Sequence, residues 1–333
     1  MQNILVTGGS GFIGTNLIIY LTSKGFTCRI LDNFTNCALI WRNNEKYPAA
    51  SLHTPLQIQD FKIPVKGKEI NAHLIIGDIL DERAVVDAVE GIDVIVHLAA
   101  LGNVADSLKN PRQCWDVNVN GTLNMLEACR KAGVSKFIFA SSNAAVGEQL
   151  PPINEMQVSR PISPYGAAKA AGEALCHAYC QSFGLNTTSL RFANCYGPYS
   201  EHKTSVIGRY CTLLEKGEPL VIYGDGNQTR DFIYVDDVCQ AIYKASIADQ
   251  SSGEVIQVAS GVGTSINELI RLLSEVTNRD IDAIRESGRK GDIRKSYSDI
   301  SKAEKILGYK PTVSLYKGLK SLWDYRYSNK IGL

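Results

Sequence analysis

The run Gly8-Gly9-Ser10-Gly11-Phe12-Ile13-Gly14 constrains this chain more than any other feature. It follows the apolar stretch Ile4-Leu5-Val6 and opens the helix-period segment Phe12 to Lys24. Glycines at Gly8, Gly11 and Gly14 permit a tight strand-to-helix turn and close backbone approach to a pyrophosphate. The helix start then offers N–H groups and the positive end of its dipole to phosphates. The next strand-like run, Cys28 to Leu31, ends in Asp32, 18 residues beyond Gly14. A carboxylate there accepts hydrogen bonds from an adenosine ribose and repels a 2′-phosphate, so the pattern predicts NAD rather than NADP. Asp78 follows Leu74-Ile75-Ile76-Gly77 at a third strand end, where it is either an adenine contact or a turn residue.

Short β-branched runs alternate with helix-period segments through the first half. The runs are Ile4 to Val6, Cys28 to Leu31, Leu74 to Ile76, Val94 to Leu98, Phe137 to Ala140 and Thr188 to Phe192. Glu82 to Val89 and Gly121 to Lys131 have helical spacing. Such alternation predicts an α/β fold, a Rossmann-type doubly wound parallel sheet, with a smaller mixed α/β C-terminal lobe. The expected division is 1–193, joined by returning segments at about 232–260, against a substrate lobe of 194–231 and 261–333. Asn33 to Ala72 carries no convincing periodicity. A stretch that long closes over a cofactor, packs at a subunit interface, or does neither.

Charge narrows the partners. The chain has 35 basic and 34 acidic residues, a net charge of +1, which gives no general attraction for nucleic acid or an anionic membrane. No apolar run approaches the roughly 18 residues of a membrane span, and no secretory leader opens the chain. Nine scattered cysteines without a C-x-x-C pair predict neither a disulfide framework nor a metal site. These features together predict a cytoplasmic protein.

Chemistry concentrates in Pro161 to Lys169, which reads Pro-Ile-Ser-Pro-Tyr-Gly-Ala-Ala-Lys. Ser163 can cap a helix and Pro164 suits its first turn. Tyr165 and Lys169 then lie at i and i+4 on one face. An ammonium beside a phenol favours phenolate, which can take a proton from a sugar hydroxyl while NAD⁺ takes the hydride. Ala140-Ser141-Ser142 ends a strand where open α/β sheets bind ligands, so a hydroxyl there can share that proton.

In these motifs the chain resembles the extended short-chain dehydrogenase/reductase superfamily, and within it the NAD-dependent UDP-sugar 4-epimerases. The resemblance runs over nearly all 333 residues. It includes His97 to Ala100, Asn118 to Thr122, Arg191 to Pro198, Tyr223 to Gly226, Gln228 to Phe232 and Arg289 to Asp292. It implies a catalytic set of Ser142, Tyr165 and Lys169. It implies NAD contacts at Gly8, Gly11, Phe12, Ile13, Gly14, Asp32, Asn33, Asp78, Ile79, Leu98, Ala99, Ala100, Asn118, Tyr165 and Lys169. Ser142, Asn143, Asn194, Arg230, Arg289, Asp292 and Ser296 would hold the UDP-sugar. A homodimer is implied too, through a four-helix bundle built from Gly121 to Ala132 and Gly166 to Phe183.

The implied reaction oxidises the sugar at C4, rotates the 4-keto sugar about its diphosphate link, and reduces the opposite face. Related 4,6-dehydratases and UDP-glucuronate decarboxylases carry acids just after the catalytic hydroxyl, where this chain has Asn143 and Ala144. A 4-keto reductase needs only the same three residues, and a dinucleotide-sensing regulator would need only the glycine loop. Val146 stands where the family commonly has Tyr, which predicts an aromatic missing beside the sugar. Ser296 falls at the sugar C2 substituent, where a small side chain leaves room for an N-acetyl group; a solvated loop serine is the competing account.

Overall fold

The computed structural model describes residues 2–35, 37–38, 57–65, 68–201, 203–288 and 293–331. Alternation along the first strand, β1 (Asn3–Thr7), sets the architecture. Ile4 and Val6 enter one core while Leu5 enters another on the opposite face, as the two-residue period of a strand requires. A strand apolar on both faces has to be covered on both. The helices Phe12–Ser23 and Val235–Ile247 cover one side; Glu82–Val89, Gly121–Ala132 and Pro164–Phe183 cover the other. Fully burying each large aliphatic side chain stabilises by about 1.5–3 kcal/mol, so these two cores drive the layered fold.

The remaining strands of this sheet are β2 (Thr27–Asp32), β3 (Gln57–Val65), β4 (Lys68–Ile76), β5 (Val94–His97), β6 (Lys136–Ser142), β7 (Thr187–Phe192) and β11 (Glu254–Val258). Their order is β11-β7-β6-β5-β1-β2-β4-β3. Seven run parallel; only β3 is antiparallel, to β4. The parallel sheet agrees with the reading from sequence. The edge differs from it: Gln57–Val65 pairs with Lys68–Ile76 in a long antiparallel ladder, and of these two strands only Leu74 to Ile76 was legible in the sequence. Gln-Ile-Gln-Asp-Phe-Lys-Ile carries interspersed polar residues, and its strand state depends on pairing with β4 rather than on local apolar spacing.

Beyond Phe192 the chain builds smaller sheets. The strands β8 (Asn194–Tyr196), β10 (Thr229–Tyr234) and β12 (Gly263–Ser265) form one; β9 (Leu220–Tyr223) and β13 (Ala283–Glu286) form another. Phe232 to Tyr234 therefore belong to the three-stranded sheet, while Val255 to Val258 return to the main one. Asp231, fully buried, joins these parts. Its carboxylate accepts from Ser260 N at 2.8 Å, Gly261 N at 3.1 Å and Ser298 N at 3.1 Å. All nine cysteines are unpaired. Among the described residues no helix is long and apolar enough to cross a membrane.

Candidate active site

The chain moves outward from β1 through β2 to β4 and then places β5 on the other side of β1. Ligands of open α/β sheets bind at such a reversal, outside the carboxyl ends of the strands. Here that reversal opens into a cleft of about 1950 Å³. Since a drug-sized pocket is roughly 300–1,000 Å³, this volume has room for two nucleotides together.

Gly8 sits at the reversal with φ +69°, and a Cβ there would lie 2.7 Å from Ala99 N. The two strand ends meet only because residue 8 has no side chain. Gly11 caps the helix Phe12–Ser23 with no side-chain hydrogen bond, and no acid stands in the first turn. The helix start is thus left for an external anion. Asp32 is buried, and its carboxylate accepts from Ser10 N and Phe34 N, each at 2.8 Å. Burial raises its pKa against those N–H groups. Asn33 donates to Asp78 at 2.9 Å, joining the ends of β2 and β4, and both residues line the cleft with Ile79, Leu98, Ala99 and Ala100. Asn118 does not line it. This amide lies in the π-helical turn Asp116–Asn120, accepts from Leu101 N at 2.8 Å and donates to Leu101 O at 3.1 Å. It therefore holds the loop after β5 rather than facing the cleft.

Ser142, Tyr165 and Lys169 line the middle of the same cleft. Ser163 caps the Pro164–Phe183 helix by accepting from Gly166 N at 3.1 Å, and Pro164 occupies the first turn. Gly166 lets this helix start close against the end of β6, since a Cβ there would meet Ala144 O at 2.3 Å. Lys169 is 3% exposed; its ammonium donates to Ala140 O at 2.7 Å and stands 6.0 Å from the Tyr165 ring centroid. Burial lowers Lys169 to about 8 and raises Tyr165, with the Ser142 hydroxyl opposing the rise. This differs from the expectation of a phenol lowered by its lysine. Desolvation penalises the charged form of both groups, and the lysine hydrogen bond goes to a carbonyl.

Asn143, Asn194, Arg230 and Ser296 also line the cleft. Asn143 donates to Ser298 Oγ at 3.0 Å, and Asn194 donates to Asp231 O at 3.1 Å. Arg230 donates to Ile293 O at 2.6 Å and Thr229 O at 2.8 Å. Ser296 is buried, and its N–H donates to Thr229 Oγ1 at 3.3 Å. Arg289 and Asp292 lie outside the described residues. Val146 is fully buried and does not line the cleft. The bend Asn143–Ala145 turns residue 146 inward, where its carbonyl accepts from Arg160 N at 2.9 Å.

Three supporting residues escaped sequence reasoning. Ser107 Oγ accepts from Tyr165 N at 3.2 Å, meeting a first-turn N–H that the helix itself leaves open. Glu173, one turn beyond Lys169, accepts from Ser141 at 2.5 Å and forms a buried two-point pair with Arg191 at 2.8 and 2.7 Å. Its spacing was the available signal, because an acid at i+4 from a buried lysine points into the same wall. The third, Lys203, carried no local signal.

This chain belongs to the NAD dependent epimerase/dehydratase family, whose model matches residues 4–259. It is 36% identical to a putative UDP-glucose 4-epimerase of Methanocaldococcus jannaschii, over 98% of this chain and 99% of that one. It superposes on the UDP-glucose 4-epimerase of Thermotoga maritima bound to UDP-glucose with TM-score 0.86, at 34% identity, covering 99% of this chain and 100% of that one. A Bacillus cereus UDP-glucuronic acid 4-epimerase mutant, bound to NAD and UDP-4-deoxy-4-fluoro-glucuronic acid, matches with TM-score 0.84 at 29% identity over 98% and 100% of the two chains. The cofactor is NAD. The uncapped helix start and the side-chain-free approach at Gly8 fit its pyrophosphate.

Proposed function

We propose that this protein interconverts the C4 epimers of a UDP-sugar, a hexose or N-acetylhexosamine, with NAD held throughout turnover. The observation that carries this reading is a single cleft lined by the glycine turn, by Ser142, Tyr165 and Lys169, and by Arg230 and Ser296. Bound NAD supplies a reversible hydride acceptor. Tyr165 takes the C4 hydroxyl proton and later returns it, and Ser142 shares that proton by hydrogen bond. Lys169 lends positive charge to the developing phenolate. Asp32 faces the adenosine ribose, and Arg230 with Asn194 faces the nucleotide diphosphate and uridine. Neither Asn143 nor Ala144 can exchange a proton near neutrality, which disfavours dehydration and decarboxylation.

Proton NMR of the purified protein with UDP-glucose, UDP-galactose and their N-acetyl counterparts, without added cofactor, tests the proposal. Appearance of the C4 epimer without accumulating NADH supports it, and no turnover after adding NAD overturns it. A uronic-acid substrate is the second reading, favoured by the likeness to the UDP-glucuronic acid 4-epimerase; UDP-glucuronate in the same experiment decides. We further propose a homodimer through the Gly121–Ala132 and Pro164–Phe183 helices. Leu123 and Phe183 are exposed on them. Sedimentation at twice the chain mass is the expected result.

A further inference from the structure

The turn from Gly197 to Lys203 brings a lysine from the second half of the chain onto the glycine turn of the first. Tyr199 holds φ +65°, a conformation that is costly for a bulky side chain and persists only where its surroundings impose it. Ser200 Oγ donates to Gly197 O at 2.5 Å, and Lys203 N donates to Ser200 O at 2.9 Å. Asn16, on the helix that starts at Phe12, donates to Pro198 O at 3.0 Å. The turn is therefore tied to the cofactor helix itself. Lys203 lines the cleft, and its ammonium lies 5.6 Å from the ring centroid of Phe12.

Among the described residues this ammonium has no hydrogen bond or ion pair. Burial holds its pKa below the ordinary lysine value. A partly buried cation without a counter-charge is less favourable in the protein alone than once an anion sits beside it. The uncapped start of the Phe12–Ser23 helix is next to it. By contrast, Lys169 is occupied by the Ala140 carbonyl and Arg230 by the Ile293 carbonyl.

We propose that Lys203 binds the pyrophosphate of NAD across the glycine turn, so that the segment leading into the second lobe clamps the cofactor. The inference rests on the NAD site and not on which sugar reacts. A cation held on a separate lobe would slow NAD release while the sugar turns over. The nucleotide sugar also carries a diphosphate, and the test separates the two sources.

Lys203→Gln removes the charge and keeps most of the stem; Lys203→Arg keeps the charge. NAD would be titrated into cofactor-stripped full-length protein at rising NaCl, and UDP into NAD-saturated protein, both by calorimetry. We expect Lys203→Gln to weaken NAD by about tenfold or more, the scale of one charge-assisted contact, and to flatten its salt dependence. Lys203→Arg should stay within about threefold and UDP within about twofold of the parent. Unchanged NAD affinity in Lys203→Gln overturns the proposal. So does a loss confined to UDP, or an equal loss of both ligands with a lower melting temperature.

Discussion

The Lys169 ammonium stands 6.0 Å from the Tyr165 ring centroid, yet its hydrogen bond runs to the Ala140 carbonyl at 2.7 Å. Burial lowers this amine to about 8. An amine whose folded pKa lies below its unfolded value of about 10.4 binds fewer protons folded than unfolded between those values. Stability therefore rises with pH from about 8 to about 10.4, and Lys169 costs stability at neutral pH. Lys169→Met should melt a few degrees higher at pH 7, on the order of 1 kcal/mol, and lose that rise with pH. Thermal melts at pH 7 and 9.5 check this; a lower melting temperature would mean that the bond to Ala140 outweighs desolvation.

Tyr165→Phe keeps the ring in the wall and deletes the group that carries the proton. Turnover should fall by about 10³-fold, within the range for loss of a positioned acid or base. Bound NAD, measured by absorbance after denaturation, should match the parent. Turnover within tenfold of the parent would remove Tyr165 from the proton path.

Gly8→Ala introduces a Cβ 2.7 Å from a backbone nitrogen at a positive φ. We expect a loss of about 1–3 kcal/mol from strain, together with weak NAD retention, because the strand ends must separate. Chemical denaturation and NAD content together report it.

Ser296 is buried in the cleft wall. Ser296→Tyr should suppress turnover of UDP-N-acetylglucosamine by about a hundredfold and leave UDP-glucose within about tenfold, since excess volume rejects the bulkier C2 group. Equal effects on both sugars would place Ser296 away from C2.

His97 bonds Thr7 Oγ1 at 2.7 Å and Thr122 Oγ1 at 3.1 Å, and burial lowers its pKa to about 3. The unfolded chain binds this proton near pH 6.5 and the folded one does not, so stability is lost as pH falls from about 6.5 towards 3. His97→Gln should flatten the acid side of the stability curve, as read by urea denaturation at pH 7, 5.5 and 4.5.

Local spacing in the chain was enough to read the glycine turn, Asp32 at the next strand end, the Ser163 cap and the pairing of Tyr165 with Lys169. Each depends on neighbours within one turn, one helix or one βαβ step, where backbone geometry follows residue order. The parallel sheet was legible for the same reason, through alternating periods. Other properties came only from packing between distant segments. The edge ladder of β3 exists because β4 offers it partners. Val146 points inward because the bend after β6 turns it there. Whether Tyr165 is raised or lowered depends on how dry the wall around it is, and no spacing encodes dryness. Lys203 meets Phe12 across 191 positions of sequence through a turn fastened by Asn16. Proximity of that kind is set by the whole fold, since desolvation and close approach depend on every segment that packs against the cleft.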